Sequence, residues 1–289
     1  MLKVFIFLKP FLVGIQLLLL YASNFIFQYI YVPKNKVNWV VGVHEIAANI
    51  TNLSRILESS ISVSLKSSKY YDYKYDYQIR SGSKLVYYLI RFIYGPFLLG
   101  YLANKANSFF YIWDQGFLFE RKFDFKFLKK KNKKLVLMFC GSDIRSPKLS
   151  LEYSNIRDLE NFLNYTSNDP ILGEKIALKN AAIADKYADL IFNYPICQIS
   201  HIKKKQYHFP YMYPKENFSK NVNKFENFKN IIILHAPSSP LVKGTPLIRA
   251  AIKKLKLEAY EFEYVELVGV SNLKVLDYLE KSHITTNYM

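Results

Sequence analysis

At 289 residues the chain is longer than a single domain of roughly 100–150 residues, so two domains, or one and a part, are expected. Its 51% hydrophobic and 22% charged residues exclude a disordered chain, and 17% aromatic residues make Tyr and Phe the main packing material. Forty Lys and Arg against 23 Asp and Glu leave a formal charge of +17, which favours anionic partners; without a zinc finger, RNA-recognition motif or basic zipper, nucleic acid is not expected among them.

The chain opens on an apolar stretch. Residues 11–32 carry no charged side chain and include the run Leu17–Leu20, with Lys3, Lys9, Lys34 and Lys36 on its flanks. The length fits a bilayer span of about 20 residues, and equally a long core helix or an interfacial one. No small-residue cleavage site follows, so a signal peptide is not expected. Residues 1–33 are therefore read as a membrane-associating segment.

After Pro33 short β-rich runs alternate with longer helical ones, the pattern of a parallel sheet with crossover helices. Strands are predicted at Val37–Val43, Ile61–Leu65, Ser108–Trp113, Leu135–Cys140, Leu190–Tyr194 and near Tyr207–Phe209. Helices are predicted at Ala47–Glu58, Lys84–Asn104, Ile156–Tyr165 and Ile171–Tyr187, the second with a kink or break at Gly95-Pro96. The tyrosine-rich tract at 71–77 reads as a loop, and the lysine runs at 129–134 and 203–205 as solvated loops. A polar, Asn- and Lys-rich stretch at 214–229 reads as a linker between a domain at 34–213 and a second α/β unit at 230–289. That unit is predicted as strand Asn230–His235, helix Thr245–Leu257, strand Phe262–Val268 and helix Asn272–Lys281, with another strand due where the sequence ends.

Cys140 and Cys197 lie in or beside apolar strand-like segments with no CxxC pair, which fits a reducing compartment. The histidines show no metal-ligand spacing, so neither a metal nor a cofactor is expected.

Two segments carry chemistry. Ile231 to Thr245 is a strand, a small-residue loop with Ser238 and Ser239, then Lys243-Gly244 at a helix start. Such a start presents free amides and a positive dipole end to an anion, with Lys243 adding a full charge. A plain strand–loop–helix connection with a surface lysine fits equally well. In the first domain, Lys134 to Arg145 is a strand followed by Gly-Ser-Asp-Ile-Arg, placed where α/β sheets hold their ligands. Asp143 could orient a hydroxyl and Arg145 meet a phosphate, or the two could simply cap and pair locally. His44 and Glu45 follow the first strand, where Glu45 could equally serve a helix start. Asp114 follows Phe110-Tyr-Ile-Trp as one more polar contact.

The segment His235-Ala-Pro-Ser-Ser, then Lys243-Gly-Thr, then Ala250-Ala-Ile-Lys-Lys-Leu, then Phe262 to Asn272 resembles the start of the nucleotide-binding domain of retaining GT-B glycosyltransferases. The Gly141-Ser-Asp-Ile-Arg turn is similar to one in bacterial sugar transferases. The resemblance implies an α/β chain with one complete Rossmann-like domain and the opening of a second. It implies that Lys243, Gly244, Ser238 and Ser239 contact a donor diphosphate, and that His44, Glu45, Asp114, Asp143 and Arg145 lie on the acceptor side. An arginine frequent in the family a few residues before the lysine has no counterpart here, where 238–242 read Ser-Ser-Pro-Leu-Val, and no glycine- and glutamate-rich donor segment follows before Met289.

The resulting expectation is transfer of a hexose from a nucleotide sugar to a lipid-linked surface glycan. It would occur at the cytoplasmic face of an anionic membrane, with the donor site completed by a partner chain or left inactive. The alternative is a non-catalytic, membrane-associated binding subunit.

Overall fold

Period-two alternation of apolar side chains, matched on neighbouring strands, builds the larger of two sheets. The computed structural model describes residues 2–66, 73–80, 83–156, 169–194, 198–209, 223–226, 230–241 and 243–286, with the backbone alone for 2–9 and 154–156. The chain divides into two compact units, one of residues 1–67 and 73–212 and one of 68–72 and 213–289.

The first unit holds six parallel strands: β1 (Val37–Val43), β2 (Ser60–Ser64), β3 (Tyr77–Gln78), β4 (Ala106–Ile112), β5 (Lys134–Met138) and β6 (Leu190–Phe192). Their order is β3-β2-β1-β4-β5-β6, a Rossmann-like arrangement whose direction of winding reverses between β1 and β4. The β1–β4 register runs from Val37↔Ala106 to Val43↔Ile112. Phe109 and Tyr111 of β4, with Leu135 and Leu137 of β5, enter one core; Phe110 and Ile112, with Val136 and Met138, enter the other. The first core is closed by α1 (Leu2–Phe25), α3 (Lys84–Lys105), α4 (Arg121–Lys130) and α6 (Pro170–Tyr187). The second is covered by α2 (Asn49–Ile56), through Ile50 and Leu53, and by Phe209.

The apolar N-terminal segment is a helix docked on the unit. Its stripe Val13, Gln16, Leu20 and Ser23 is buried at helical spacing. Of the kink or break predicted at Gly95-Pro96, the break does not occur: α3 runs through it as one helix. Pro96 has no N–H to offer the carbonyl of Phe92, and Gln16 Nε2 donates to that oxygen at 3.2 Å instead, while its Oε1 accepts from the Phe119 amide at 2.9 Å. Ser23 Oγ donates to the Phe97 carbonyl at 2.7 Å. The helices approach closely because position 100 is glycine: a Cβ there would lie 2.5 Å from Ser23 Oγ.

Other expectations need correction. The Tyr207–Phe209 strand is only an isolated bridge from Tyr207 to Phe192. The 71–77 tract ends in strand β3, and α4 and α5 (Pro147–Ile156) were not predicted. The predicted Ile156–Tyr165 helix lies beyond Ile156 outside the described residues, as do Cys197 and most of 214–229. Lysines 131 and 133 are not free loop charges: they donate to Gln28, Asn104 and the Ala106 carbonyl.

The second unit is a parallel sheet in the order β8 (Glu263–Glu266), β7 (Ile232–His235), β9 (Ile284–Thr286), with α7 (Thr245–Leu257) and α8 (Asn272–Lys281). Ser271 caps α8, and Lys224 Nζ donates to the Leu279 and Ser282 carbonyls at that helix's other end, where the dipole favours a cation. Among the described residues its buried aliphatic side chains are Ile233, Leu234 and Ile252.

Candidate functional site

At the winding reversal of the first sheet, the carboxyl ends of β1 and β4 lie side by side, the place where open α/β sheets form a ligand crevice. His44 follows β1 and Trp113 follows β4, with their rings edge to face at 6.2 Å. Trp113 adopts φ +69°, a left-handed conformation uncommon for a bulky side chain, which persists only where the surroundings impose it.

Three buried charged side chains hold the loop that begins at Trp113. Arg121 Nη1 donates to the Trp113 carbonyl at 2.7 Å, its guanidinium lying over the Phe125 and Phe139 rings. Arg91 Nη2 donates to the Gly116 carbonyl at 2.8 Å, and Nη1 to Gln115 Oε1 at 3.3 Å. Asp124 accepts from the Phe117 amide at 2.6 Å, the Leu118 amide at 3.1 Å and the Tyr111 hydroxyl at 3.1 Å. Burial pushes the Asp124 pKa up to about 7 against the pull of these donors and of Arg91. Together these side chains fix the 113–118 loop in space.

None of the three was foreseen. Arg91 had a signal, since it is the one charged residue between Lys84 and Lys105 in an otherwise apolar helix. Arg121 and Asp124 had none, because the run Glu120-Arg-Lys-Phe-Asp-Phe-Lys has a charge at nearly every turn position.

The acceptor-side candidates divide by whether their polar atoms are already engaged. Glu45 is buried, its oxygens accepting from the Ile50 and Thr51 amides, the Thr51 hydroxyl and the Tyr75 hydroxyl. It caps α2, whose own N-cap Ala48 supplies no side chain for the purpose, and burial raises its pKa. Asp143 turns back on its own loop to accept from the Cys140 amide at 3.1 Å and the Gly141 amide at 2.8 Å. Burial pushes its pKa up to about 7, and the Asn180 side chain holds its carbonyl at 2.7 Å. The Arg145 amide bonds to the Gly141 carbonyl, closing the same turn.

His44 and Asp114 remain. Burial, with Lys66 and Arg91 adding to it, lowers the His44 pKa to about 4, so the imidazole is neutral at pH 7. Its Nδ1 is buried without a hydrogen-bond partner among the described residues. Asp114 is half-buried, and its carboxylate takes no hydrogen bond among the described residues. A neutral imidazole and a carboxylate that takes no hydrogen bond among the described residues, in the loops after neighbouring strands, suit a hydroxyl-rich neutral ligand, since both can accept from hydroxyls.

In the second unit the loop after β7 behaves differently from expectation. The amides of Lys243, Gly244 and Thr245 donate to the carbonyls of Ser239, Leu241 and Pro240 at 2.9, 3.2 and 2.9 Å. Pro246 has no N–H, and the Leu247 amide returns to the Gly244 carbonyl. The free amides expected at this helix start are therefore taken up by the loop itself, and the Lys243 ammonium and the helix dipole remain for an anion. Gly244 is the N-cap at φ 63°, which explains a glycine after the lysine. Ser238 lines a cleft of about 140 Å³ with Ala236, Pro237, Leu267, Gly269 and Val270. His235 is structural: Nδ1 donates to the Thr286 carbonyl at 3.0 Å and Nε2 accepts from Thr245 Oγ1 at 2.8 Å.

Comparison with protein-family models, with curated proteins and with solved structures finds no match to this chain.

Proposed function

We propose that the chain is a GT-B-type glycosyltransferase that transfers a hexose from a nucleotide sugar to a lipid-linked surface glycan at the cytoplasmic face of a membrane. The observation that supports the reading is that two polar side chains follow β1 and β4 at the winding reversal of the first sheet: His44, which is neutral, and Asp114, whose carboxylate takes no hydrogen bond among the described residues. These groups would hold acceptor hydroxyls, with the 113–118 loop positioned by Arg91, Arg121 and Asp124. Asp143, Glu45 and Arg145 would shape the same rim, and Lys243 with Ser238, Ser239 and Gly244 would meet the donor diphosphate. No metal or cofactor enters this scheme, and the catalytic group is left unassigned.

The test is transfer from a panel of labelled nucleotide sugars to lipid-linked acceptors in membranes. Asp114→Asn is expected to lower acceptor affinity and Lys243→Ala donor affinity, each by roughly tenfold or more, the worth of one charge-assisted hydrogen bond.

A second reading is a non-catalytic binding subunit that needs a partner chain. It is favoured by the occupied amides of 243–245 and by a cleft far smaller than the roughly 300–1,000 Å³ of ordinary ligand pockets. Calorimetry separates the two. Glycan binding that depends on Asp114, with no nucleotide-sugar binding by the full chain, selects the subunit.

A further inference from the structure

Helix α1 is apolar on both sides. The stripe Val13, Gln16, Leu20 and Ser23 is buried, yet the opposite stripe is Phe11, Gly14, Leu18, Tyr21 and Phe25, with Phe11 68% and Leu18 72% exposed. A surface helix of a water-soluble protein carries charge there. Helix α3 repeats the pattern from Val86 to Phe97, where Val86, Leu89, Ile90, Ile93 and Phe97 recur at helical spacing and are exposed. The two helices run parallel and side by side, Gln16 next to Phe92 and Ser23 next to Phe97. Apolar stripes exposed on two neighbouring helices mark an interaction site.

Charge selects its occupant. At the carboxyl ends of both helices Lys36 and Lys131 reach Asn104, Lys133 reaches the Ala106 carbonyl and Lys105 reaches Tyr101. None of these four lysines pairs with a carboxylate among the described residues, whereas nearby Lys129 is matched by Asp189 at 2.8 Å. Their proximity shows in Lys131 and Lys133, whose pKa values are lowered by burial and further by neighbouring lysines. Tyr29 and Tyr31 are exposed just before Lys34 and Lys36, the combination of amphipathic rings and lysines found at a membrane–water boundary.

We propose that α1 and α3 together form a docking face for an anionic phospholipid bilayer, lying in its interface rather than crossing it, with Lys36, Lys105, Lys131 and Lys133 meeting lipid phosphates. Both helices are long and apolar enough to span. Crossing would strip Leu98, Leu99, Leu102 and Ala103 of α3 from the sheet, and Val13 and Leu20 of α1 from the protein, where all are nearly inaccessible. Lying flat keeps those contacts and still removes the outer stripes from water. A second copy of this chain, itself at +17, would bring another unmatched lysine cluster to the same face. The inference rests on the membrane part of the proposed function and not on sugar transfer.

The full-length chain is sedimented with phosphatidylcholine vesicles, with and without phosphatidylglycerol. Binding is expected only to the anionic vesicles, to weaken with salt and to be released by alkaline carbonate. The pair Lys131→Gln, Lys133→Gln should weaken it roughly thirtyfold, at about 1 kcal/mol per lysine. The pair Leu89→Asp, Ile93→Asp should abolish it while leaving circular dichroism unchanged, since both side chains are exposed. Equal binding to neutral vesicles, resistance to carbonate, or indifference to these substitutions overturns the proposal. So does a soluble dimer that dissociates on Leu89→Asp. Because no sugar enters the assay, loss of transfer with vesicle binding intact counts against the glycosyltransferase reading alone.

Discussion

Arg121 illustrates how one side chain governs a site it does not enter. It is 5% exposed, holds the Trp113 carbonyl, and lies within the fields of Asp114, Asp124 and Asp143. Replacement by Leu would leave the buried Asp143 carboxyl without the cation that faces it and the Trp113 carbonyl without its donor, so a loss of about 3–5 kcal/mol is expected in urea denaturation. The titrations give a second expectation. Asp124 and Asp143 have folded pKa values of about 7 against an ordinary 3.8, so their contribution to stability is present below pH 3.8 and lost as pH rises through 7. His44 acts oppositely, because its pKa falls to about 4 from 6.5: its contribution is present above pH 6.5 and lost as pH falls toward 4. Asp124→Asn should therefore make the slope of stability against pH less negative between pH 4 and 7. A slope identical to that of the unsubstituted protein would show that Asp124 is ionised throughout that range.

At the scale of elements, the contact between α1 and α3 depends on two small devices. Gln16 replaces the hydrogen bond that Pro96 removes, and Gly100 makes room for Ser23 and Asn24. Gln16→Leu would deprive the Phe92 carbonyl of its donor and the Phe119 amide of its acceptor, at about 1–3 kcal/mol each. Gly100→Ala would place a methyl group 2.8 Å from the Asn24 nitrogen, so α1 must shift, at about 1–3 kcal/mol. Both substitutions should speed amide hydrogen exchange across residues 11–25 and leave β4 and β5 protected.

Across the whole molecule the two units differ in how much core they possess. The first buries aromatic and aliphatic side chains on both faces of its sheet, while the second, among the described residues, buries Ile233, Leu234 and Ile252. Three such side chains contribute about 5–9 kcal/mol of burial, little against the ordering entropy of a unit this size. The second unit is expected to unfold first in urea. The chain's two tryptophans, Trp39 and Trp113, both lie in the first unit, so far-UV dichroism should begin to fall before tryptophan fluorescence changes. Coincident transitions would mean that the units unfold together.

Much of the architecture was legible in the order of the residues. The runs Val37–Val43, Thr245–Leu257 and Asn272–Lys281 have the boundaries predicted, because hydrophobic periodicity and helix-start signals act over a few neighbouring residues. The alternation of strands with helices likewise determined a parallel α/β sheet. Strand β3, two residues long, carried no such pattern and exists only through its pairing with β2. For the candidate site the sequence points to the loops after β1, β4 and β5, but not to what each polar side chain there bonds to. Whether Glu45 and Asp143 face a ligand or their own backbone depends on which amides the fold brings within 3 Å or so of each carboxylate. The same holds for the amides of 243–245, which the loop turns inward. Sequence by itself determined the apolar character of residues 11–32; the tertiary structure decided that they dock on α3, because the carbonyl that receives Gln16 is freed by a proline some 80 residues away.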